Sequence, residues 1–338
     1  EGLGLPNDPS MFVTFRDART GLEYLRSSRA IWERGLRLTL EAYEGHVFWE
    51  FREIHDGTAG LWRRLDERLG GRGVPSLDEA LRELQLEPVQ SPFRALFEGP
   101  QVGAVLDGSA GEEDLDVLES RFAGFLTAVA HATGVAGDPA AVAAAARRRT
   151  RVAFDLSTDL ASRTDRAALL GWVALERMGE LAPGSDPAAT SAAWYDEFRL
   201  APTLATGLRG AGLDEAAAWA VADLVRVLLA LPRVAAIRGR GRAADARLLE
   251  RWLADDHARA AMGINTWEGA EWLDRERFAA LLAWSARLDA VEGGHAPDDA
   301  VGRRLLSAAE AAGYRVDVLR SSLAATPKPR PAGRRQAR

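Results

Sequence analysis

The apolar residues of this 338-residue chain change their spacing once, near Asp56. Before that point they recur every second residue, the period of a strand with one buried face. After it they recur every three or four, the period of a helix packed along one stripe. Residues 12–16 and 22–26 answer each other across the turn residues 17–21. Leu36-Arg37-Leu38-Thr39-Leu40 alternates strictly after Gly35, and Val47, Trp49 and Phe51 fall on one apolar face. Four short antiparallel strands are therefore expected within residues 1–56. Such a sheet is thin and its edges are open, so further strands are expected upstream of Glu1, and the chain reads as the end of a longer one.

Residues 57–325 read as a helical domain. Leu61, Trp62, Leu65 and Leu69 form one stripe that stops at Gly70-Gly71. Pro75-Ser76-Leu77-Asp78-Glu79 has the form of a capping box. A short helical turn is predicted over 92–97 and a Gly-rich connection over 100–111. A long helix is predicted over 112–134, with acids in its first turn and Leu115, Leu118, Phe122, Phe125, Leu126 and Val129 as its inward stripe. Helical spacing recurs over 139–151, 167–181, 187–200, 214–231, 243–254, 274–291 and 300–312. Asp214 and Asp274 suit N-caps. No repeat of fixed period is present, which disfavours a solenoid. Residues 326–338, with three prolines in the surrounding stretch and a basic finish, read as a disordered tail. The predicted fold class is mainly α: a bundle-like helical domain preceded by a small antiparallel β segment, the remnant of a β-sandwich.

With 47% hydrophobic and 27% charged residues the chain can bury a real core. A net charge of −6 offers no basic field for nucleic acid or anionic lipid. The absence of cysteine excludes disulfides and thiolate metal sites and fits a reducing, cytoplasmic setting. No apolar run approaches the roughly 20 residues of a membrane span. His55-Asp56 and Asp256-His257 look like pieces of a metal-phosphohydrolase pattern, but the further ligands are not placed, and they read as surface or capping residues. The carboxylate pairs Glu50/Glu53, Asp186/Glu197 and Glu268/Glu271 read as solvated faces, since glycoside hydrolysis needs two carboxylates facing each other across a cleft. Gly239-Arg240-Gly241-Arg242 reads as a plain loop. No nucleophile elbow, zinc-protease helix, Walker loop or dinucleotide fingerprint is present, and neither a cofactor nor a metal is implied. Trp252 and Trp284 lie in helix stripes and read as core. Asn265-Thr266-Trp267-Glu268-Gly269 reads as a loop in which Trp267, Glu268 and Asn265 are candidate carbohydrate-binding residues. A buried clamp, with Trp267 covering the apolar surface beside Trp252 and Phe278, is the favoured alternative for the same loop.

Phe15-Arg16-Asp17, Thr20-Gly21-Leu22-Glu23-Tyr24-Leu25, residues 33–40 and Ala42-Tyr43-Glu44-Gly45-His46-Val47-Phe48 together resemble the C-terminal β-sandwich that follows the barrel in α-amylase-type enzymes, glycoside hydrolase family 13. The helical remainder, with Gly71-Arg72-Gly73-Val74-Pro75-Ser76 and the 265–269 loop, resembles an extension found in large bacterial members. The family's nucleophile strand, its acid-Glu strand and its second-Asp strand have no counterpart here, so the resemblance transfers no catalytic residue. It implies a non-catalytic C-terminal accessory region of an enzyme acting on α-glucans, one that stabilises or oligomerises the parent. Its partners would be the parent's N-terminal barrel and an α-glucan. The rival reading is a free-standing helical interaction module.

Overall fold

The structure is a computed structural model that describes residues 4–37, 43, 45–156, 160, 162–231, 237, 241–293 and 299–324. The protein is mainly α, with fifteen α-helices, one three-stranded sheet and one two-stranded sheet among the described residues. Its contacts divide it into two compact units, residues 1–91 and 92–338.

The first unit holds β1 (Met11–Asp17), β2 (Glu23–Ser27), α1 (Ser28–Arg34), β3 (Phe48–His55), α2 (Leu61–Leu69) and the start of α3 (Leu77–Leu96). The sheet is antiparallel in the order β2-β1-β3. Phe12 and Leu25 on one face pack with Leu65, Leu69, Leu77 and Leu84 of the two helices into one core. This packing carries the unit past residue 56, where the period changes: α2 has nowhere to bury its stripe except on the strands. Two further departures from expectation have local causes. Ser27 accepts from the Ala30 amide and starts α1, a helix that the period-two reading misses. Of the expected strand at 36–40, Leu36 and Arg37 carry no strand, and residues 38–40 lie outside the described residues.

The alternation of β3 is also broken. Glu50 takes φ +54°, and the pairing with β1 slips from Thr14↔Arg52 to Arg16↔Trp49. This bulge brings Phe48 to the face of Phe15, with ring centroids 5.1 Å apart, where Phe51 also lies at 5.2 Å. Trp49 goes to the opposite face beside Arg16. The single apolar face expected for Val47, Trp49 and Phe51 is thus split. At the end of β1, Asp17 is fully buried and accepts from the Arg19 amide (3.0 Å) and the Thr20 hydroxyl (2.8 Å), with His46 Nδ1 at 2.8 Å.

α3 is one continuous helix, where a capping box at 75–79 and a separate short turn over 92–97 are predicted. Pro88 and Pro92 sit inside it, and each lacks the N–H that would reach the carbonyl four residues back. Ser76 caps it as expected, its Oγ accepting from the Glu79 amide at 3.2 Å.

The second unit is all helical apart from one hairpin. It comprises α4 (Pro100–Asp107), α5 (Glu112–Thr133), α6 (Pro139–Leu156), α7 (Arg163–Leu175), a 3₁₀ turn (Met178–Leu181), α8 (Pro187–Glu197), α9 (Leu200–Gly210), α10 (Glu215–Ala230), α11 (Arg242–Leu253), α12 (Asp256–Ala261), α13 (Arg275–Gly293), α14 (Ala300–Ala311) and α15 (Val316–Ala324). Residues 167–175 of α7 are all buried, the mark of a helix surrounded on every side. It is flanked by α4, α6 and α10. The α5 stripe is buried as its spacing predicts, and Phe122 and Phe125 join Phe93 and Phe97 in an aromatic cluster. Trp252 and Trp284 are core, 0% and 6% exposed. Asp214 and Asp274 both cap helices, accepting from the Ala217 and Arg277 amides. No helix among the described residues is long and apolar enough to cross a membrane. Residues 325–338, together with His295 and the Gly239-Arg240 part of the basic loop, lie outside the described residues.

Two outcomes follow from this packing. Gly124 in α5 faces open space, whereas a Cβ on Gly207 in α9 would lie 2.6 Å from Phe97 Cβ. Gly124→Ala is expected to stabilise the chain by about 0.5–1 kcal/mol through the lost entropy of the unfolded state. Gly207→Ala is expected to destabilise it by about 1–3 kcal/mol through overpacking. Urea unfolding of both variants checks the opposite signs. For Asp17, burial opposes ionisation, but the Arg19 amide, the Thr20 hydroxyl and His46 prevail and pull its carboxyl from 3.8 to about 2. The stability this group adds is therefore present above the ordinary value of 3.8 and is lost as pH falls toward 2. The gap in urea midpoint between the wild type and Asp17→Asn is expected to narrow from pH 6 to pH 2; a gap that stays constant contradicts this.

Candidate functional site

The segment that the sequence presents as a loop is a β-hairpin. β4 (Asn265–Trp267) pairs antiparallel with β5 (Ala270–Trp272) in the register Asn265↔Trp272, Thr266↔Glu271, Trp267↔Ala270. Glu268 and Gly269 form the two-residue connection, with φ of +48° and +76°. Positive φ at both positions is a type I′ turn, whose twist matches that of the flanking strands. The signal was an X-Gly pair between two short alternating runs, Asn265/Trp267 and Ala270/Trp272, and it was concealed by the helices on either side.

Both ends of the hairpin are fixed. The Asp274 amide donates to the Met262 carbonyl at 3.1 Å and the Leu273 amide to the Tyr314 carbonyl at 2.8 Å. Gly263 lets this base close, since a Cβ there would lie 2.6 Å from Asp274 Cβ. Trp272 is bridged to Arg315, whose guanidinium lies 5.8 Å from its ring centroid. Arg315 is in turn clamped on Asp317 at 2.7 and 3.2 Å, and holds that carboxyl below the ordinary range. On the other face Glu271 pairs with Arg259.

Directly opposed residues of an antiparallel pair share a face, so Asn265, Trp267, Ala270 and Trp272 lie together. Trp267 is 66% exposed, and Asn265 and Glu268 are exposed beside it. The expectation of a buried clamp is therefore corrected. The apolar surface that Trp267 was expected to cover is closed without it, Trp252 packing edge-on to Phe278 with centroids 6.5 Å apart. An exposed indole on a pinned hairpin offers a flat apolar face to a ring, and an amide two residues along, about 7 Å away, offers both a donor and an acceptor. Asn265, Trp267 and Glu268 are exposed neighbours on this hairpin. Missing from the sequence reading are Arg259 and Arg315, which hold the hairpin from outside it through Glu271 and Trp272.

The other candidates do not assemble. Glu50 lies 3.3 Å from Arg16. Asp186 caps α8, accepting from the Ala188 and Ala189 amides. Asp56 accepts from the Trp62 amide at 3.0 Å, and His55 Nε2 lies 3.1 Å from Ser10 Oγ. Asp256 opens α12 behind the Asp255 cap. Among the described residues no group of three or more His, Asp or Glu is placed to hold a metal ion. Set against family models, curated proteins and solved structures, the chain matches none of them.

Proposed function

We propose that this chain is a non-catalytic C-terminal accessory region of an α-amylase-like glycoside hydrolase acting on α-glucans, and that the Trp267 hairpin is its glucan contact. The resemblance of the opening strands to an amylase-type sandwich suggests the parent. The observation that carries the sugar contact is the exposure of Trp267 on a hairpin pinned at its base, with Asn265 on the same face. Most exposed large side chains cost entropy to order on binding. Here the backbone of the hairpin is already fixed, so an indole stacked on a pyranose ring has little more to lose. The helical unit supplies the rigid mount, and in the parent it stabilises or oligomerises the enzyme beside the N-terminal barrel.

Titration with maltoheptaose tests the reading. Trp267→Ala is expected to weaken binding by about 1–3 kcal/mol, the scale of an aromatic anchor. Its melting temperature should not move, because surface substitutions generally change stability by less than about 0.5 kcal/mol. A wild-type chain that does not bind the oligosaccharide, or a variant that binds it equally well, overturns the sugar contact.

A further inference from the structure

The interior of the helical unit is not filled where α5, α6 and α7 meet. A cavity of about 30 Å³ lies there, lined by Phe97 at the end of α3, Leu115 and Leu118 of α5, Ala143 and Ala146 of α6 and Val173 of α7, among others. Every residue of its wall is buried except Glu119 and Arg147. Protein interiors leave few voids larger than a water molecule. One water needs about 10–15 Å³ of such space, so this cavity has room for two or three atoms of that size. The space is left by α6, which presents methyl groups where α5 presents Leu and Phe.

The polar groups of the wall are already engaged. The Thr150 hydroxyl donates to the Ala146 carbonyl within α6 at 3.0 Å. The Arg147 guanidinium lies 2.5 Å from Glu112, 2.7 Å from Asp116 and 3.2 Å from Glu119. A water held inside a protein needs roughly two to four polar partners, and this wall does not supply them. A charged ligand would give up its hydration against Leu, Phe, Ala and Val with nothing in return. The way in from solvent runs past Glu119 and Arg147, which keep 32% and 26% of their side chains exposed. We propose that this cavity is a binding site for a small neutral apolar molecule, of the class of dioxygen and the shortest hydrocarbons, entering past the Glu119–Arg147 pair.

Xenon, an uncharged apolar atom, is the probe. Proton–carbon spectra of the methyl-labelled full chain are recorded under rising xenon pressure. The methyls of Leu115, Leu118 and Val173 are expected to shift and to saturate, while those of Leu288, buried in α13 away from the cavity, stay in place. Ala146→Leu fills the space and should abolish the shifts. Ala143→Val, a smaller intrusion, should weaken them at least severalfold and serves as the second variant where Ala146→Leu does not fold. Acetate, charged and of similar size, should leave the same methyls unmoved. Xenon shifts that are absent, that spread evenly over the core, or that survive the substitutions overturn the proposal. A saturating response to acetate overturns the neutral class of the ligand.

Discussion

The helical unit is organised by the need to bury α7 on every side. Nine consecutive residues, 167–175, are removed from solvent, including the whole of Trp172. A helix with a single apolar stripe needs one neighbour; this one needs a ring of them. Small residues make that ring close. A Cβ on Gly171 would come within 2.9 Å of Val225 Cγ2, so the bare glycine lets the Val225 side chain of α10 pack directly against α7. The chain leaving α7 inherits the burial. Glu176 is 5% exposed, and its carboxylate meets Arg149 of α6 while its carbonyl accepts from the Ser191 hydroxyl at 3.1 Å. Ser191 Oγ also accepts from the Gly179 amide at 2.8 Å, and Tyr195 one turn further donates to the Ala222 carbonyl at 2.9 Å. Buried polar groups of this kind are tolerated because each is satisfied. The position of α8 thus follows from the burial of α7.

The outer helices are tied down mainly by arginine. Arg304 grips the buried Asp245 with two bonds of 2.7 Å, joining α14 to α11, and Arg320 joins α15 to Glu250. These ties set the frame on which the 265–272 hairpin rests, since its strand β5 leans on the turn before α15 through Tyr314 and Arg315. The proposed sugar contact is therefore a short rigid projection from a helical frame. Mobility in that frame would be felt at Trp267 as a loss of preorganisation.

What the sequence disclosed follows from the range of the interactions involved. Periodicity reports burial of one face, so α5, α10 and α13 were legible, with the Asp214 and Asp274 caps of the last two, as was the core placing of Trp252 and Trp284. It failed where a local event broke the period. The bulge at Glu50 reverses which side chains of β3 share a face, and no spacing rule signals it. The cap at Ser27 begins α1 inside a stretch that otherwise continues as strand. α12 and α15 are short, and their signals were absorbed into connections. For Trp267 the spacing did not disclose the environment, which is exposed rather than a buried clamp. Whether an indole is a lid or a platform depends on Trp252 packing against Phe278 and on Arg315 reaching back to Trp272, contacts that join separate segments.

Hydrogen–deuterium exchange of the full chain, with and without maltoheptaose, tests the central claim that a rigid helical frame presents a fixed sugar contact. Amides of α7 should exchange slowest in both states, and the glucan should slow exchange in residues 265–272 while leaving the rest of the helical unit unchanged. A hairpin that exchanges freely and gains no protection, or protection that appears on other helices instead, would contradict it.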